Sequence, residues 1–491
     1  MDRPDIRSAA SLSRKGRASQ GAALTAVVGR INVLLDHNRQ DLAQKLAVTA
    51  VRRFPDSHEL ASLLEKAVSC VADIALAEKI YGEVLRSPRA CPAHRYHLAM
   101  FCKRAGDIGK MKRVFSDLLR CRDRADLIHT YIAACTLDRY DIAFVTAERI
   151  IGSPGRENVL SRLWNPWGDR SSACPAGFFP DRLARLARAR IRKELEHYRT
   201  FFRGVLLFNS GRNDAALREF GRLPELAPER YGWMRFPEGW ARLYARDYRG
   251  ALEAFRQSAR SEMSRIPSMG RIAEIHICTG RTARGFAELR NALKAAPVRE
   301  IPGLHSWEGE LRLFTGDYRA ALTALTKGAE LGDDVAFCWR GAAYAKLGRF
   351  KEALADLDKA VKLFPTDLEA RVWRGEALRL AGRYSQALEE LDRVIESHSG
   401  YMWARFNRAL VRHSLGDYLG MKEDFDKING PVIRFLERKL PAGDKGSAGP
   451  ARMLRLLEEG CRLAMGNRRD DEYYYPIWMG NGRLPAARRA L

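Results

Sequence analysis

The stretch DVAFCWRGAAYAKLGRFKEALADLDKAVKLFP, Asp334 to Pro365, decides how the rest of the chain is read. Apolar and small residues recur at helical spacing on both sides of Gly348, which predicts two helices joined by a short turn. Gly341 and Ala353 are small because the two helices cross closely there, and a larger side chain would hold the backbones apart. Tyr344, Leu357 and Ala360 fill the space around that crossing. Gly348 lies past the end of the first helix, where a left-handed residue reverses the chain at little cost. Pro365 follows the second helix and stops it. The same register returns at Gly375, Gly382, Tyr384, Ala387 and Leu391, and 375 − 341 gives 34 residues between matching glycines.

That period, with Gly341, Tyr344, Leu347, Gly348, Phe350, Ala353, Leu357, Ala360 and Pro365 in place, resembles the tetratricopeptide repeat. A single helix pair cannot bury its apolar faces, so units must stack on their neighbours. The resemblance implies an all-α fold, a tetratricopeptide-type helical-hairpin solenoid wound into a superhelix. It also implies a concave face, made by the first helix of each pair, along which extended peptides or helices lie. It names an architecture and no ligand.

Carrying that register onto this chain places Cys338, Ala342 and Ala345 inward from the first unit. Val372, Glu376 and Arg379 follow from the next, and Phe406, Leu410 and His413 from the last. Arg340, Arg374 and Arg408 recur every 34 residues, since 374 − 340 and 408 − 374 agree. A guanidinium at that place is a common variant of the family, which implies packing and pairing between repeats. A ladder of three could also take carboxylates bidentately. The residues expected to meet a partner are therefore Arg340, Arg374, Arg379, Phe406, Arg408 and His413. Trp339 and Trp373 repeat at the same interval and are expected in the core. The lysine and asparagine pattern with which chaperone-binding members clamp a terminal carboxylate is not reproduced.

With 46% hydrophobic and 29% charged residues, the 491-residue chain can bury a core and is unlike a disordered protein. The formal net charge of +24, mostly arginine spread along the chain, points toward anionic partners: acidic protein segments, nucleic acid or anionic surfaces. No apolar run is long enough for a membrane helix. The nine cysteines stand singly with no CxxC pair, which argues against a disulfide framework and for a reducing cytoplasm.

In chain order, residues 1–20 read as a flexible basic tail and 21–151 as a degenerate array of the same repeat. Ala43, Ala47, Ala50 and Pro55, then Ala77, Tyr81, Val84 and Pro88, carry its second-helix pattern. Residues 152–180 form one irregular insertion rich in Pro, Gly and aromatics, with Trp164, Trp167, Phe178 and Phe179 expected as a plug between two halves. From Asp181, which can cap its start, to Arg203 the spacing predicts one long amphipathic helix. That helix would carry a basic stripe of Arg185, Arg188, Arg192 and Arg199. The array proper spans 181–431. Its last unit has Met421 where alanine is usual, which puts close packing in doubt and suits a terminal repeat. Residues 432–491 read as capping helices and an aromatic tail holding Tyr473, Tyr474, Tyr475 and Trp478.

No HExxH, GxxxxGK[ST], GxGxxG or GxSxG pattern occurs, and no remaining stretch could hold a catalytic domain. Cys91, His94, His97 and Cys102 are the one metal-like group. Cys102 points away from the face that His94 and His97 share, so surface histidines account for the spacing and no metal is expected. The expectation is a non-enzymatic, cofactor-free scaffold or adaptor that binds a protein or peptide in its groove, an acidic one being the partner that the net charge suits. The alternatives are a nucleic-acid-binding helical repeat that uses Arg185, Arg188 and Arg192, or an accessory subunit of an enzyme complex.

Overall fold

The computed structural model describes residues 21–35, 39–69, 74–104, 106–121, 126–152, 163, 178–228, 231–364, 367–399, 401–428, 433 and 449–464. Among them the regular structure is helical and there is no strand. After α1 (21–35) come α2 (Gln40–Arg53), α3 (His58–Ser69), α4 (Ile74–Leu85), α5 (Ala93–Arg104), α6 (Ile108–Arg120), α7 (Leu127–Thr136) and α8 (Tyr140–Ile151). Then follow α9 (Phe178–Arg188), α10 (Glu196–Asn209), α11 (Asn213–Phe220), α12 (Leu223–Leu226), α13 (Tyr231–Tyr244), α14 (Tyr248–Ser258), α15 (Arg265–Cys278) and α16 (Thr282–Ala295). The remainder is α17 (Ile301–Phe314), α18 (Tyr318–Glu330), α19 (Ala336–Lys346), α20 (Phe350–Leu363), α21 (Leu368–Leu380), α22 (Tyr384–Ser397), α23 (Met402–Ser414), α24 (Tyr418–Asp426) and α25 (Pro450–Ala464). Internal contacts divide the chain into two compact units, Met1–Leu206 and Leu207–Leu491.

The second unit shows why the repeat needs its small residues. A Cβ on Gly341 would stand 2.6 Å from Leu357, one on Gly375 2.8 Å from Leu391, and one on Gly239 2.7 Å from Phe255. Each glycine meets a side chain sixteen positions later, so the first helix of a pair lies directly on the second. Leu357, Leu391 and Phe255 are all fully buried. The pairs α13/α14 through α23/α24 form in this way. Met421 is buried in the core of the last pair, so that pair stays closely packed, and α25 covers α23 with Leu456 and Leu457.

Between helices of a pair the chain turns through one residue of positive φ. Gly348 has φ +74° and Gly382 +73°, as the sequence requires. Two turns use other residues at that place, Asp138 (φ 57°) and Arg246 (φ 62°). Side chains other than glycine's crowd the backbone there, at a cost of about 1 kcal/mol. The Arg246 side chain is exposed, so Arg246→Gly should stabilise the protein by about 1 kcal/mol. A rise in the urea midpoint without a change in slope would show it. Asp138→Gly should bring no such gain, because Asp138 accepts from Arg182 and Arg185 at 2.5 Å each.

The region after residue 180 departs from expectation. The helix begins at Phe178, so Asp181 sits inside the first turn and does not cap it. It ends at Arg188; Ala189–Arg192 are not helical, and α10 starts at Glu196 after a short 3-10 turn. The break lets α9 pack against the turn between α7 and α8, where Arg182 donates to the Cys135 carbonyl, while α10 buries Tyr198 and Phe202 against Phe144. The basic stripe is thereby dismantled. Arg185 pairs with Asp138, Arg192 with Glu194 and Arg199 with Glu196. Within the 152–180 stretch Leu163 is buried, and its carbonyl takes the Tyr131 hydroxyl at 2.5 Å. Trp164, Trp167, Pro365, the tail 1–20 and the aromatic tail with Tyr473 and Trp478 lie outside the described residues.

Candidate functional site

In the second unit the first helices of successive pairs pack directly on one another, α15 on α17, α17 on α19, α19 on α21 and α21 on α23. Successive second helices make only sparse contact, so the first helices form the closely packed row of the array. Close stacking buries most residues that the register points inward. Cys338, Ala342, Ala345, Val372, Glu376 and Leu410 are all buried. Phe406 is wholly buried too, its ring stacked on Trp403 at 5.5 Å, so it serves the core and offers no open apolar anchor. Arg379, His413 and Lys346 are not fully buried, though the Lys346 and Arg379 side chains keep only 15% and 20% of their surface exposed.

Glu376 ties this inner layer together. Lys346, one repeat earlier, donates to it at 3.0 Å, and Arg379 donates at 2.7 and 3.0 Å. Burial alone would raise the Glu376 pKa. The charges and hydrogen bonds of Lys346 and Arg379 outweigh it and hold the carboxyl below its ordinary range.

The three periodic arginines turn toward the second helices. Arg340 forms a bidentate pair with Asp356 at 2.7 and 2.9 Å. Arg374 joins Asp358 of the preceding pair at 2.6 Å to Glu390 of its own at 2.5 Å. Arg408 joins Asp392 at 2.7 Å to Asp424 at 2.8 and 2.5 Å. Each bonded acid stands sixteen residues before or after its arginine. The ladder thus staples one second helix to the next through the first helix between them. Its innermost carboxylate, Asp424, has no exposed surface and also meets Arg412 at 3.1 Å and Arg405 at 3.5 Å.

One feature of these helices escapes a 34-residue reading. Arg271 on α15 lies between the rings of Trp240 on α13 (4.6 Å) and Trp307 on α17 (4.4 Å), and it pairs with the buried Glu274. The intervals, 271 − 240 = 31 and 307 − 271 = 36, fall on either side of the period. Such a cation sandwich contributes on the order of 1 kcal/mol for each ring.

The metal-like group of the first unit is corrected in one respect. His94 is fully buried and His97 nearly so, because neighbouring helices close around α5. They are not surface histidines. Among the described residues no group of three His, Cys, Asp or Glu stands together as a metal site. Nor is any helix there long and apolar enough to cross a membrane.

The family model described as tetratricopeptide repeat matches residues 308–367 and 339–402, the pairs whose crossings and ladder are described above. Residues 308–402 are tetratricopeptide repeats. No curated protein matches the chain in sequence. Among solved structures it is similar to a tetratricopeptide repeat protein from Parabacteroides merdae, at 14% identity and a TM-score of 0.41, covering 53% of this chain and 98% of that one. It is also similar to YrrB, described as a TPR protein with an unusual peptide-binding site, at 23% identity and a TM-score of 0.26, covering 33% of this chain and 82% of the other.

Proposed function

We propose that this protein is a non-catalytic scaffold that holds a peptide or segment of a partner protein along the surface of its first helices. The observation that carries this reading is the direct stacking of α15, α17, α19, α21 and α23, a continuous inner surface on which Lys346, Arg379 and His413 keep exposed faces. Arg379 and His413 would meet the partner. Arg340, Arg374 and Arg408 would fix the spacing of units that the partner reads, with Phe406 beneath them as core. The net charge of +24 favours an acidic segment and speeds its approach.

The test is a pull-down with the full chain and with the Arg379→Gln, His413→Ala double variant, at two salt concentrations, with and without nuclease. A protein retained through nuclease and high salt by the wild type, and lost by the variant, supports the scaffold reading. Loss of all bound material on nuclease treatment would overturn it.

A further inference from the structure

One junction of the array has its charges reversed. Counting from the small residue of each first helix, position +17 is Asp358 (358 − 341) and Asp392 (392 − 375), each bonded to an arginine of the next pair. On α14 the same position is Arg256 (256 − 239), which is exposed and bonded to no carboxylate among the described residues. Position +11 is Glu352 (352 − 341), taken by Arg349 at 2.7 and 2.9 Å. On α16 it is Arg284 (284 − 273), again exposed and paired with no carboxylate among the described residues. Glu288 and Glu253 each stand one turn from these arginines and pair with neither.

Between them lies Arg281, the equivalent of Arg349, at the N-terminus of α16. Aspartates cap α14, α18 and α24 by accepting a backbone N–H from Gly250, Ala320 and Gly420. Arg281 provides no such cap, and the first turn of α16 holds no acid. Beneath is His276, with no exposed surface and neither ring nitrogen bonded. Its counterpart Tyr344 lies under the Arg349 guanidinium at 4.5 Å; His276 holds the same register position, and its carbonyl accepts the Arg281 backbone N–H at 2.7 Å. Burial first, then the charges of Arg284, Arg281 and Arg256, push the imidazole down to about 4, and no carboxylate counters them. An unpaired buried imidazole, three guanidiniums without a carboxylate among the described residues and a helix N-terminus without a side-chain cap are the groups that favour an anion here.

We propose that Arg256, Arg281, Arg284, His276 and the first turn of α16 form a binding site for a phosphate group, free or carried as an ester on a larger molecule. Three guanidiniums and the helix N–H groups match a multi-oxygen dianion better than a single carboxylate, which at Glu352 satisfies one arginine. The site lies at the turn between α15 and α16 and does not depend on the groove reading.

The experiment is calorimetric titration of the full chain with inorganic phosphate, O-phosphoserine and acetate at fixed ionic strength. Wild type is compared with Arg284→Glu and Arg256→Ala. Arg284→Glu recreates the Arg–Glu pair seen at Arg349 and Glu352, so it should fold at least as well while weakening phosphate binding by about tenfold or more. Saturable phosphate binding lost in Arg284→Glu is the expected result, and tighter binding of O-phosphoserine would assign an esterified source. Absence of saturable binding, an equal response to acetate, or full binding by Arg284→Glu would overturn the site.

Discussion

Asp424→Ala should destabilise the second unit by about 3–5 kcal/mol, the largest effect expected of any single substitution described above. The carboxylate is fully buried and receives Arg408 in a bidentate pair, with Arg412 and Arg405 alongside. Removing it leaves three guanidiniums facing one another in a partly dry site, and the penalty is their lost partner and not merely one weak ion pair. Exposed pairs behave differently: Arg393 with Glu389, both well exposed, is worth ~1 kcal/mol or less. Urea unfolding followed by tryptophan fluorescence measures the difference. A loss below ~1 kcal/mol would mean that water replaces the carboxylate and that the staple contributes little. Adding Arg408→Met to Asp424→Ala should recover part of the loss, because fewer buried charges are then left unpaired.

The second large effect is a loss of stability in mild acid, centred on His94. Its ring is buried with both nitrogens unbonded. Burial chiefly, with smaller contributions from the His58 and Arg95 charges, lowers it from 6.5 to about 4 in the folded chain. The unfolded chain therefore binds a proton more readily than the folded one between these values. Stability is full above about pH 6.5, declines as the pH falls toward 4 and levels off below, with roughly 3 kcal/mol at stake. Carboxylates titrate near or below the foot of that window, but His276 and His305, lowered by burial as well, share it, so the share of His94 is the part of the decline that His94→Leu removes. Urea midpoints at pH 7 and 5 should converge for His94→Leu relative to the wild type. Equal pH dependence in both proteins would show that His94 gains a partner on protonation.

Much of the architecture was legible because packing repeats where sequence repeats. Gly341 and Gly375 required close crossings, and Leu357 and Leu391 lie against them. Gly348 and Gly382 required left-handed turns and have them. The continuous helix from Asp181 to Arg203 was the clearest misreading. An apolar seam at helical spacing fits one helix or two, and only the docking of Arg182 near Asp138 sets the break. The candidate site was less legible. The 34-residue interval of Arg340, Arg374 and Arg408 is visible in the chain, but the acids that receive them lie sixteen residues away in both directions, on separate helices.

Sequence alone determined the repeat unit, its small and large packing positions and its glycine turns, since each depends on backbone geometry and contacts within one helix pair. Tertiary structure alone decided which charges are spent inside the fold and which remain for a partner. The Arg374 guanidinium is held between Asp358 and Glu390, whereas Arg256 and Arg284 meet no carboxylate among the described residues. That difference lies in what neighbouring repeats place opposite each side chain, and Coulomb attraction acts across space without regard to position along the chain.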